Sequence, residues 1–380
     1  MACDIGRRNF LKRVSAILIG SASGQLLEVG RALAKTGKAP TPEYRTLGRT
    51  GLKVTTVGMG VMNCSDIAVV LRAYDLGVNF YDTADCYMGG RNEEMVGKAF
   101  KGKRDKVFIQ TKVHDKDDEK KMRDSVERSL RRLQTDYLDV LVWHGLNSPQ
   151  EVSNPKLQDF MVKMKKEGKA RFTGFSAHSR MAPLLREAAK IDFHDVALVS
   201  YNFTHSKDLR DAVALAAKSG IGVVAMKTQS GGYKKEKMEG LNPHQAALKY
   251  ILRDVNVAAA VPGVTTTQEI DELAAVMGTS LARQDLHALD EYQAFLQGRV
   301  CTLCGGCSGE CPYGIAYGDL LRAVMYQDGY ENPSLAREAY LASRATQTLE
   351  TCAGCSSCSA VCKRGLDIRE QIQQARTLLS

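Results

Sequence analysis

With 380 residues, the chain is long enough for two domains, or for one large barrel that carries an appendage. A hydrophobic fraction of 44% and a charged fraction of 25% are ordinary for a soluble globular protein with a substantial core. The net charge of +9 is spread along the chain, without a dense basic stripe interleaved with aromatic residues. This pattern argues against a nucleic-acid-binding surface.

The N-terminus has the pattern of an export signal followed by a linker. The sequence GRRNFLK at residues 6–12 precedes a short apolar stretch, VSAILIG, and a small-residue pattern, ALA, at residues 32–34. Residues 1–34 therefore resemble a twin-arginine signal peptide, with glycine at the first motif position, and residues 35–43 form the linker. An amphipathic helix with a chance arginine pair is the alternative. Because of the signal-like pattern, we expect an exported protein that is periplasmic or extracytoplasmic. The apolar stretch is too short to span a bilayer, so we expect no transmembrane segment in the mature chain.

From residue 54 to residue 278, short β-branched runs alternate with helical patterns, within a predicted barrel domain of residues 44–298. The candidate strands are VTTVGMG, NFYDTAD, VFIQTKV, LDVLVWHG, ARFTGFSAH, VALVSYN, GVVAMKT and AAAVPGV. Eight strand–helix units predict an α/β fold, a closed (β/α)8 TIM barrel, with its chemistry at the carboxyl ends of the strands.

Four polar residues would meet at that rim. Asp82 ends the second strand, Tyr87 follows it, Lys112 ends the third strand and His144 ends the fourth. Reducing a carbonyl requires a proton on oxygen, which Tyr87 can donate. Lys112 beside it is expected to lower the phenol pKa, Asp82 to hold Lys112, and His144 to hydrogen-bond the substrate oxygen. A buried Asp–Lys pair with a purely structural role is the alternative.

The motifs around these residues resemble those of the aldo-keto reductases. YDTADCYMGGRNEEMVGKAF, QTKV and YLDVLVWHG are similar to that family's second-, third- and fourth-strand motifs, and the resemblance covers about residues 44–278. It implies a small-molecule carbonyl or alcohol substrate and a nicotinamide nucleotide. The residues that it assigns to the nucleotide are Gly60, Ser176, Gly263 and Thr265.

Several positions depart from the nucleotide-binding pattern of that family. Ala177 and Leu198 stand where an asparagine and a glutamine would hold the nicotinamide, and Thr265 and Thr266 replace a basic pair at the ribose phosphate. Threonine offers a hydroxyl where arginine and lysine offer charge and fork geometry. We therefore expect weak NADP binding.

Two cysteine quartets with identical spacing lie near the C-terminus. The first matches the bacterial ferredoxin run C-x2-C-x2-C-x3-C-P, and Lys363 replaces the proline after the second. By this resemblance residues 299–380, the cluster domain, bind two 4Fe–4S clusters, and helices and turns join the two runs. The fourth cysteine of each run would ligate the other cluster, which gives the sets Cys301, Cys304, Cys307 and Cys362, and Cys352, Cys355, Cys358 and Cys311. Zinc and disulfides are the alternatives, but zinc sites use Cys-x-x-Cys pairs.

Three histidines and a cysteine are further candidates near the rim. His178 and His205 follow the fifth and sixth strands and could line the pocket, whereas His114 is expected at the surface. Cys86 adjoins Tyr87 and is either a packing residue or a thiol near the substrate.

The combined features predict an exported aldo-keto reductase-like oxidoreductase whose electrons arrive through two clusters from a redox partner protein or a quinol-linked donor. A protein that is exported with its clusters must be exported folded, which the twin-arginine route allows. Two alternatives remain open: an NAD(P)H-dependent reductase with structural clusters, and a non-catalytic iron–sulfur electron-transfer protein.

Overall fold

The computed structural model describes residues 41–232, 242–304, 307–309, 311, 313, 317–342, 355 and 358–376. The signal-peptide prediction and most of the linker lie outside these residues. Residues 42–380 form one compact unit, so the barrel and the cluster domain are described together.

Eight parallel strands form the central sheet, in the order in which they occur along the chain. They are β3 (Met59–Gly60), β4 (Phe80–Asp82), β5 (Phe108–Val113), β6 (Leu138–Trp143), β7 (Ala170–Ala177), β8 (Val196–Ser200), β9 (Gly222–Met226) and β10 (Val257–Ala260). The last strand meets the first through parallel bridges between Val57 and Ala260 and between Gly60 and Gly263, which close the barrel. The predicted (β/α)8 fold is confirmed.

An antiparallel hairpin precedes the barrel. Its strands are β1 (Tyr44–Thr46) and β2 (Lys53–Thr55). The side chains of Leu47, Leu52 and Val54 are buried against inward-facing residues of the barrel strands, so the hairpin covers the amino-terminal end of the barrel. The opposite, carboxyl-terminal rim carries the polar side chains.

Helices surround the barrel and separate its strands. They are α1 (Ile67–Asp75), α2 (Arg91–Ala99), α3 (Glu119–Leu133), α4 (Pro149–Val152), α5 (Pro155–Lys166), α6 (Met181–Ile191), α7 (Lys207–Lys218), α8 (Pro243–Leu252), α9 (Thr267–Ala274) and α10 (Arg283–Leu296). Several begin at a capping side chain, such as Asp118, which accepts hydrogen bonds from the backbone N–H groups of Lys120 and Lys121. Within the described parts of the chain, no helix combines the length and the apolar character needed to cross a membrane.

The described part of the cluster domain is mostly helical. Its elements are β11 (Cys307–Ser308), α11 (Tyr317–Asp328), α12 (Pro333–Ala342), β12 (Val361–Cys362) and α13 (Ile368–Arg376). Helix α11 packs against both α12 and α13. Tyr292 of α10 and Phe203 of the barrel share one apolar core with Leu320, Val324 and Ile372 of this domain, so the domain is fixed to the barrel rather than tethered beside it.

The loop after β8 supplies the polar contacts between the two domains. The Asn202 side-chain amide donates a hydrogen bond to the carbonyl of Thr302 (3.1 Å), and His205 Nε2 bonds the carbonyl of Leu303 (2.9 Å). Arg364 donates to the carbonyl of Thr204 (2.7 Å). The first cysteine run is therefore held at the carboxyl-terminal rim of the barrel.

Candidate functional site

Lys112 is at the centre of a buried hydrogen-bond network at this rim. Its ammonium donates to Asp82 Oδ2 (2.8 Å), to the carbonyl of Thr83 (2.6 Å) and to the Tyr87 hydroxyl (3.2 Å). Lys112 is 1% exposed and Tyr87 8% exposed. Because the lysine donates to the phenol oxygen, the phenol hydrogen remains available for a substrate.

Parallel strand pairing brings these groups together. Asp82 ends β4 and pairs in register with Gln110 of β5, whose side-chain amide donates to Asp82 Oδ1 (2.7 Å). Both oxygens of the Asp82 carboxylate therefore accept hydrogen bonds, one from Gln110 and one from Lys112, which holds the carboxylate beside Lys112. Neighbouring strands thus place Asp82 and Lys112 side by side at the carboxyl ends, where barrel enzymes hold their reacting groups.

A tight turn positions Tyr87. The turn covers Tyr87–Gly90, and Met88, Gly89 and Gly90 all have φ between 53° and 95°. The φ of Gly90, 95°, lies in the left-handed region that favours glycine, and a Cβ there would also displace the guanidinium group of Arg132. Arg132 in turn donates to the backbone carbonyl of Asp85 (2.9 Å) and braces the same loop.

Burial, not the neighbouring lysine, dominates the acidity of Tyr87. Desolvation raises the pKa of Tyr87 well above its usual value, and the Asp82 carboxylate raises it further. The expected lowering of this pKa by Lys112 is therefore wrong as a net effect. A phenol that keeps its proton is still a suitable donor, because the alkoxide that forms during carbonyl reduction is a stronger base than phenolate.

His144 lies beside Tyr87 and is held neutral. Their ring centroids are 6.0 Å apart, and burial lowers the pKa of His144 well below its usual value. The Cys86 sulfur lies 3.9 Å from His144 Nδ1 and can share its proton with that nitrogen. In that tautomer the Nε2–H of His144 is available to donate to a substrate oxygen.

The other rim histidines have different surroundings. The His114 side chain is 45% exposed, as expected. Its ring is tilted by 47° against that of His144, with the ring centroids 3.9 Å apart, and its Nδ1 bonds Asp85 (2.9 Å). His178 lies 6.4 Å from His144, and its buried Nδ1 has no hydrogen-bond partner among the described residues. His205 does not line the pocket, since both of its ring nitrogens bond backbone groups of Asn202 and Leu303.

The rim also contains a second lysine–tyrosine pair that the sequence patterns did not indicate. Lys227 follows β9 and donates to the hydroxyls of Tyr326 (3.0 Å) and Tyr330 (3.3 Å), which belong to the cluster domain. Burial lowers the pKa of both His144 and His178, and the nearby positive charge of Arg322 on α11 lowers both further. These residues are far apart in the sequence, and no local motif links them.

The positions assigned to a nucleotide are only partly suited to it. Ser176 Oγ accepts from the backbone N–H of Gly145 (3.0 Å), and Leu198 is fully buried among apolar side chains inside the barrel. Gly60 is required by packing, because a Cβ there would lie 2.8 Å from the carbonyl oxygen of Val261. A Cβ on Gly263 would meet only the side-chain amide of Asn63, at 3.9 Å, so this spot is open.

A glutamate occupies the place where the ribose phosphate is expected. Glu269 Oε2 accepts from the backbone N–H of Thr265 (2.7 Å), from its hydroxyl (3.0 Å) and from the N–H of Thr266 (3.3 Å). The Thr266 hydroxyl oxygen accepts a hydrogen bond from the backbone N–H of Glu269 (3.1 Å), which completes a capping box for α9. The N–H groups of Thr265, Thr266 and Glu269 are therefore used internally, and a carboxylate would face any phosphate bound here.

The cysteines of the first predicted ligand set come together as the ferredoxin pattern implies. Cys307 pairs with Cys362 across the β11–β12 ladder, and neighbouring thiols at Cys304 and Cys362 add to the burial that raises the pKa of Cys307 to about 11. Cys301 has the same neighbours. Four thiols from two runs in one place fit a cubane cluster, which binds them as thiolates. Of the second set, Cys311, Cys355 and Cys358 are described and Cys352 lies outside the described residues.

Comparison with known proteins settles what the two domains are. Residues 56–243 match the aldo/keto reductase family, and residues 300–368 match a 4Fe-4S dicluster domain. The barrel is an aldo/keto reductase domain. The chain is therefore an oxidoreductase of the aldo/keto reductase type with an iron–sulfur dicluster domain at its C-terminus.

Relatives of the aldo/keto reductase domain cover most of the barrel. L-galactose dehydrogenase of Arabidopsis thaliana is 28% identical over 309 residues, which span 67% of this chain and 94% of that protein. An aldo-keto reductase of Alternaria alternata is 30% identical over 248 residues, covering 51% of this chain and 66% of its own. The holo form of an aldo-keto reductase from Bacillus halodurans superposes with a TM-score of 0.56 at 25% identity, over 66% of this chain and 96% of that structure.

Proposed function

We propose that this oxidoreductase interconverts a small-molecule carbonyl and its alcohol, with Tyr87 as the proton donor and with electrons supplied through the cluster domain. The observation that carries the proposal is the buried hydrogen bond from Lys112 to the Tyr87 hydroxyl, braced by Asp82. This arrangement presents an O–H group whose oxygen is already paired with a cation. A phenolate formed by proton donation would be stabilised at once by the lysine ammonium.

The remaining rim groups would orient the carbonyl. His144, neutral because of its burial, would donate a second hydrogen bond to the carbonyl oxygen. Reduction adds two electrons and two protons, one proton on oxygen and one on carbon. Tyr87 would supply the first proton, and water would supply the second once the carbon is reduced. After reduction the Tyr87 phenolate, held by Lys112, would be reprotonated by water. In the oxidative direction this phenolate would instead accept the hydroxyl proton of the alcohol.

The docking of the cluster domain supports electron entry from this side. Asn202 and His205 hold Thr302 and Leu303, the residues that follow Cys301, directly on the barrel rim. The clusters, when bound, would supply electrons one at a time. The donor that reduces them would be a partner protein or a quinol-linked enzyme.

The second candidate is conventional NAD(P)H chemistry with structural clusters. It is favoured by the aldo/keto reductase match and by two buried polar atoms without partners among the described residues, Asn63 Oδ1 and His178 Nδ1. Such atoms suit a bound ligand. The carboxylate of Glu269 disfavours NADP, and the open spot at Gly263 would admit NAD more readily.

The place of action is part of the proposal. The twin-arginine pattern at residues 6–12 motivates export of the folded, cluster-loaded protein across the cytoplasmic membrane. Free NADPH is not expected outside the cytoplasm. An exported enzyme therefore needs another source of electrons, and the clusters would provide one.

The deciding experiment compares electron sources on the anaerobically purified protein. Reduction of a panel of ketones and aldehydes is assayed with reduced methyl viologen, with NADH and with NADPH. Turnover that requires the viologen supports the proposal, and equal turnover with NADPH alone supports the second candidate. Cluster reduction without turnover of any carbonyl would identify an electron carrier.

A further inference from the structure

The Lys227–Tyr326 pair repeats the arrangement of Lys112 and Tyr87. In each pair a buried lysine donates to a tyrosine hydroxyl, at 3.0 Å and 3.2 Å respectively, and lies over the ring of the same tyrosine, 4.3 Å and 4.8 Å from its centre. The lysine occupies an acceptor site of the phenol oxygen in both pairs. The O–H hydrogen of Tyr326 therefore remains available for an acceptor outside the pair.

Both pairs lie on the same rim of the barrel. Lys227 directly follows β9, as His144 directly follows β6, and parallel strands place these ends on one face. The charges of Lys112 and Arg322 add to the burial that lowers the pKa of Lys227. Tyr326 similarly contributes to the raised pKa of Tyr87, after burial, Asp82 and Cys86. The two lysine–tyrosine pairs therefore lie on one face of the barrel, with Tyr87 in the loop after β4 and Tyr326 on α11 of the cluster domain.

The backbone of Lys227 is held in an uncommon conformation. Its φ of 57° lies in the left-handed region, which costs free energy for a residue other than glycine. The Asn202 side-chain amide donates to the Lys227 carbonyl (3.3 Å) and also to the carbonyl of Thr302. Burying a charged lysine in this conformation costs free energy, and apolar packing would hold the two domains together without that cost. A role other than joining the domains is therefore expected for Lys227.

Tyr330 provides a comparison within the same contact. It stacks on Tyr326 with ring centres 5.3 Å apart and accepts a bond from Lys227 (3.3 Å). Its ring also faces Gly232, where a Cβ would lie 3.3 Å from the ring edge. Burial raises the pKa of Tyr330, which shares Lys227 with Tyr326 and is therefore the matched control for the Tyr326 hydroxyl.

We propose that Tyr326, held by Lys227, hydrogen-bonds a second oxygen of the substrate, so that the preferred substrates carry another carbonyl or hydroxyl besides the reacting carbonyl. Tyr87 addresses the reacting oxygen and Tyr326 the additional one. The cluster domain thereby completes the substrate pocket as well as carrying electrons. This inference rests on the proposed carbonyl reduction.

The test compares ketones that differ by one oxygen on the same carbon skeleton. The pairs are 2-butanone with 2,3-butanedione, and 2-hexanone with 2,5-hexanedione, which offer two spacings between the oxygens. Kinetics are measured for the full cluster-loaded chain and for Tyr326→Phe, Lys227→Met and Tyr330→Phe, with whichever reductant supports turnover. Loss of one neutral hydrogen bond should raise the KM of Tyr326→Phe about 2- to 12-fold for at least one diketone, while the KM for the monoketones and kcat stay close to those of the unaltered protein.

Each outcome decides between a specificity role and a structural one. A diketone-selective KM effect in Tyr326→Phe, a similar but larger one in Lys227→Met and none in Tyr330→Phe support the proposal. Equal losses for monoketones and diketones would overturn it and leave an interface contact. Absence of turnover with every ketone in the unaltered protein would overturn the proposed carbonyl reduction as well. Failure of the specificity role alone would therefore be distinguished from failure of the proposed function.

Discussion

Cys307 and Cys362 face each other across a two-stranded antiparallel ladder, although they belong to different cysteine runs. The ladder brings the last cysteine of the second run beside the first three cysteines of the first run. This proximity is what the exchange of ligands in two-cluster ferredoxins requires, and such an exchange would make the two runs interdependent. The assignment leads to a selective mutational test.

Replacing Cys362 with serine should damage the cluster held by Cys301, Cys304 and Cys307. We expect about eight irons and eight sulfides in the unaltered chain, from two clusters of four each, and loss of one electron paramagnetic resonance signal in Cys362→Ser. Cys358→Ser is the matched control, because it should remove the other signal. Loss of the same signal in both variants would show that the ligands are not exchanged, and stoichiometric zinc with negligible iron would rule out clusters altogether.

Replacing Tyr87 with phenylalanine should lower carbonyl turnover about 100- to 10,000-fold, the usual contribution of a positioned proton donor. The ring stays in place, so reduction of the clusters by an external donor should not change. Tyr44→Phe is the control, since Tyr44 is 51% exposed on the opposite end of the barrel. Unaltered turnover in Tyr87→Phe would remove this tyrosine from the reaction.

Glu269 should discriminate against NADPH more than against NADH. Two missing charged hydrogen bonds to the ribose phosphate, at about 1.5–3 kcal/mol each, weaken NADPH binding by roughly two to four powers of ten. Glu269→Gln keeps the helix cap and removes the charge, so calorimetry should show a gain for NADPH with little change for NADH. Glu272→Gln, one turn later on α9, is the control. Micromolar NADPH binding by the unaltered protein would contradict this prediction.

Acid should weaken the junction at His205. Burial lowers the pKa of His205 to about 4, whereas an unfolded histidine titrates near 6.5, so the unfolded state binds more protons between these values. The contribution of His205 to folding is therefore complete above pH 6.5 and is lost as the pH falls toward 4. We expect a loss of about 2 kcal/mol between pH 7 and pH 5 from this residue.

The measurement is denaturant unfolding of the anaerobic protein at pH 7 and pH 5. His205→Gln should be less stable at pH 7 but should show a smaller change on acidification, by about 2 kcal/mol. His194, whose pKa burial also lowers to about 4, is present in both proteins and cancels in the difference. Identical pH dependence in the two proteins would show that His205 is not buried as a neutral ring.

Replacing Arg7 and Arg8 together with lysine should leave the protein in the cytoplasm with its clusters intact. The reason is that the twin-arginine route requires the arginine pair, whereas cluster insertion does not. Fractionation and immunoblotting of the two proteins measure the result, and peptide mapping should place the mature N-terminus near Lys35. Normal export of the double variant would exclude this route.

Local sequence signals were sufficient to predict the barrel, the polar residues at its rim and the cysteine runs. The eight strands were predictable because β-branched runs and helical periodicity are properties of neighbouring residues. Asp82, Lys112 and His144 could be placed at one rim because parallel strands in a barrel end on the same side. The cysteine runs carried their own signal, because a cubane cluster demands ligands at short, regular spacing.

Tertiary structure alone decided the electrostatics of the site and the contacts that the cluster domain makes with the barrel rim. Burial reversed the expected shift in the pKa of Tyr87, and burial depends on packing rather than on any neighbour in sequence. The contact of Lys227 with Tyr326 joins groups from two domains, and no periodicity or motif encodes such a pairing. The hydrogen bond from Thr265 to Glu269 at the N-terminus of α9 was likewise not predictable from the sequence. The partner of a threonine hydroxyl is determined only when the turn around it has formed.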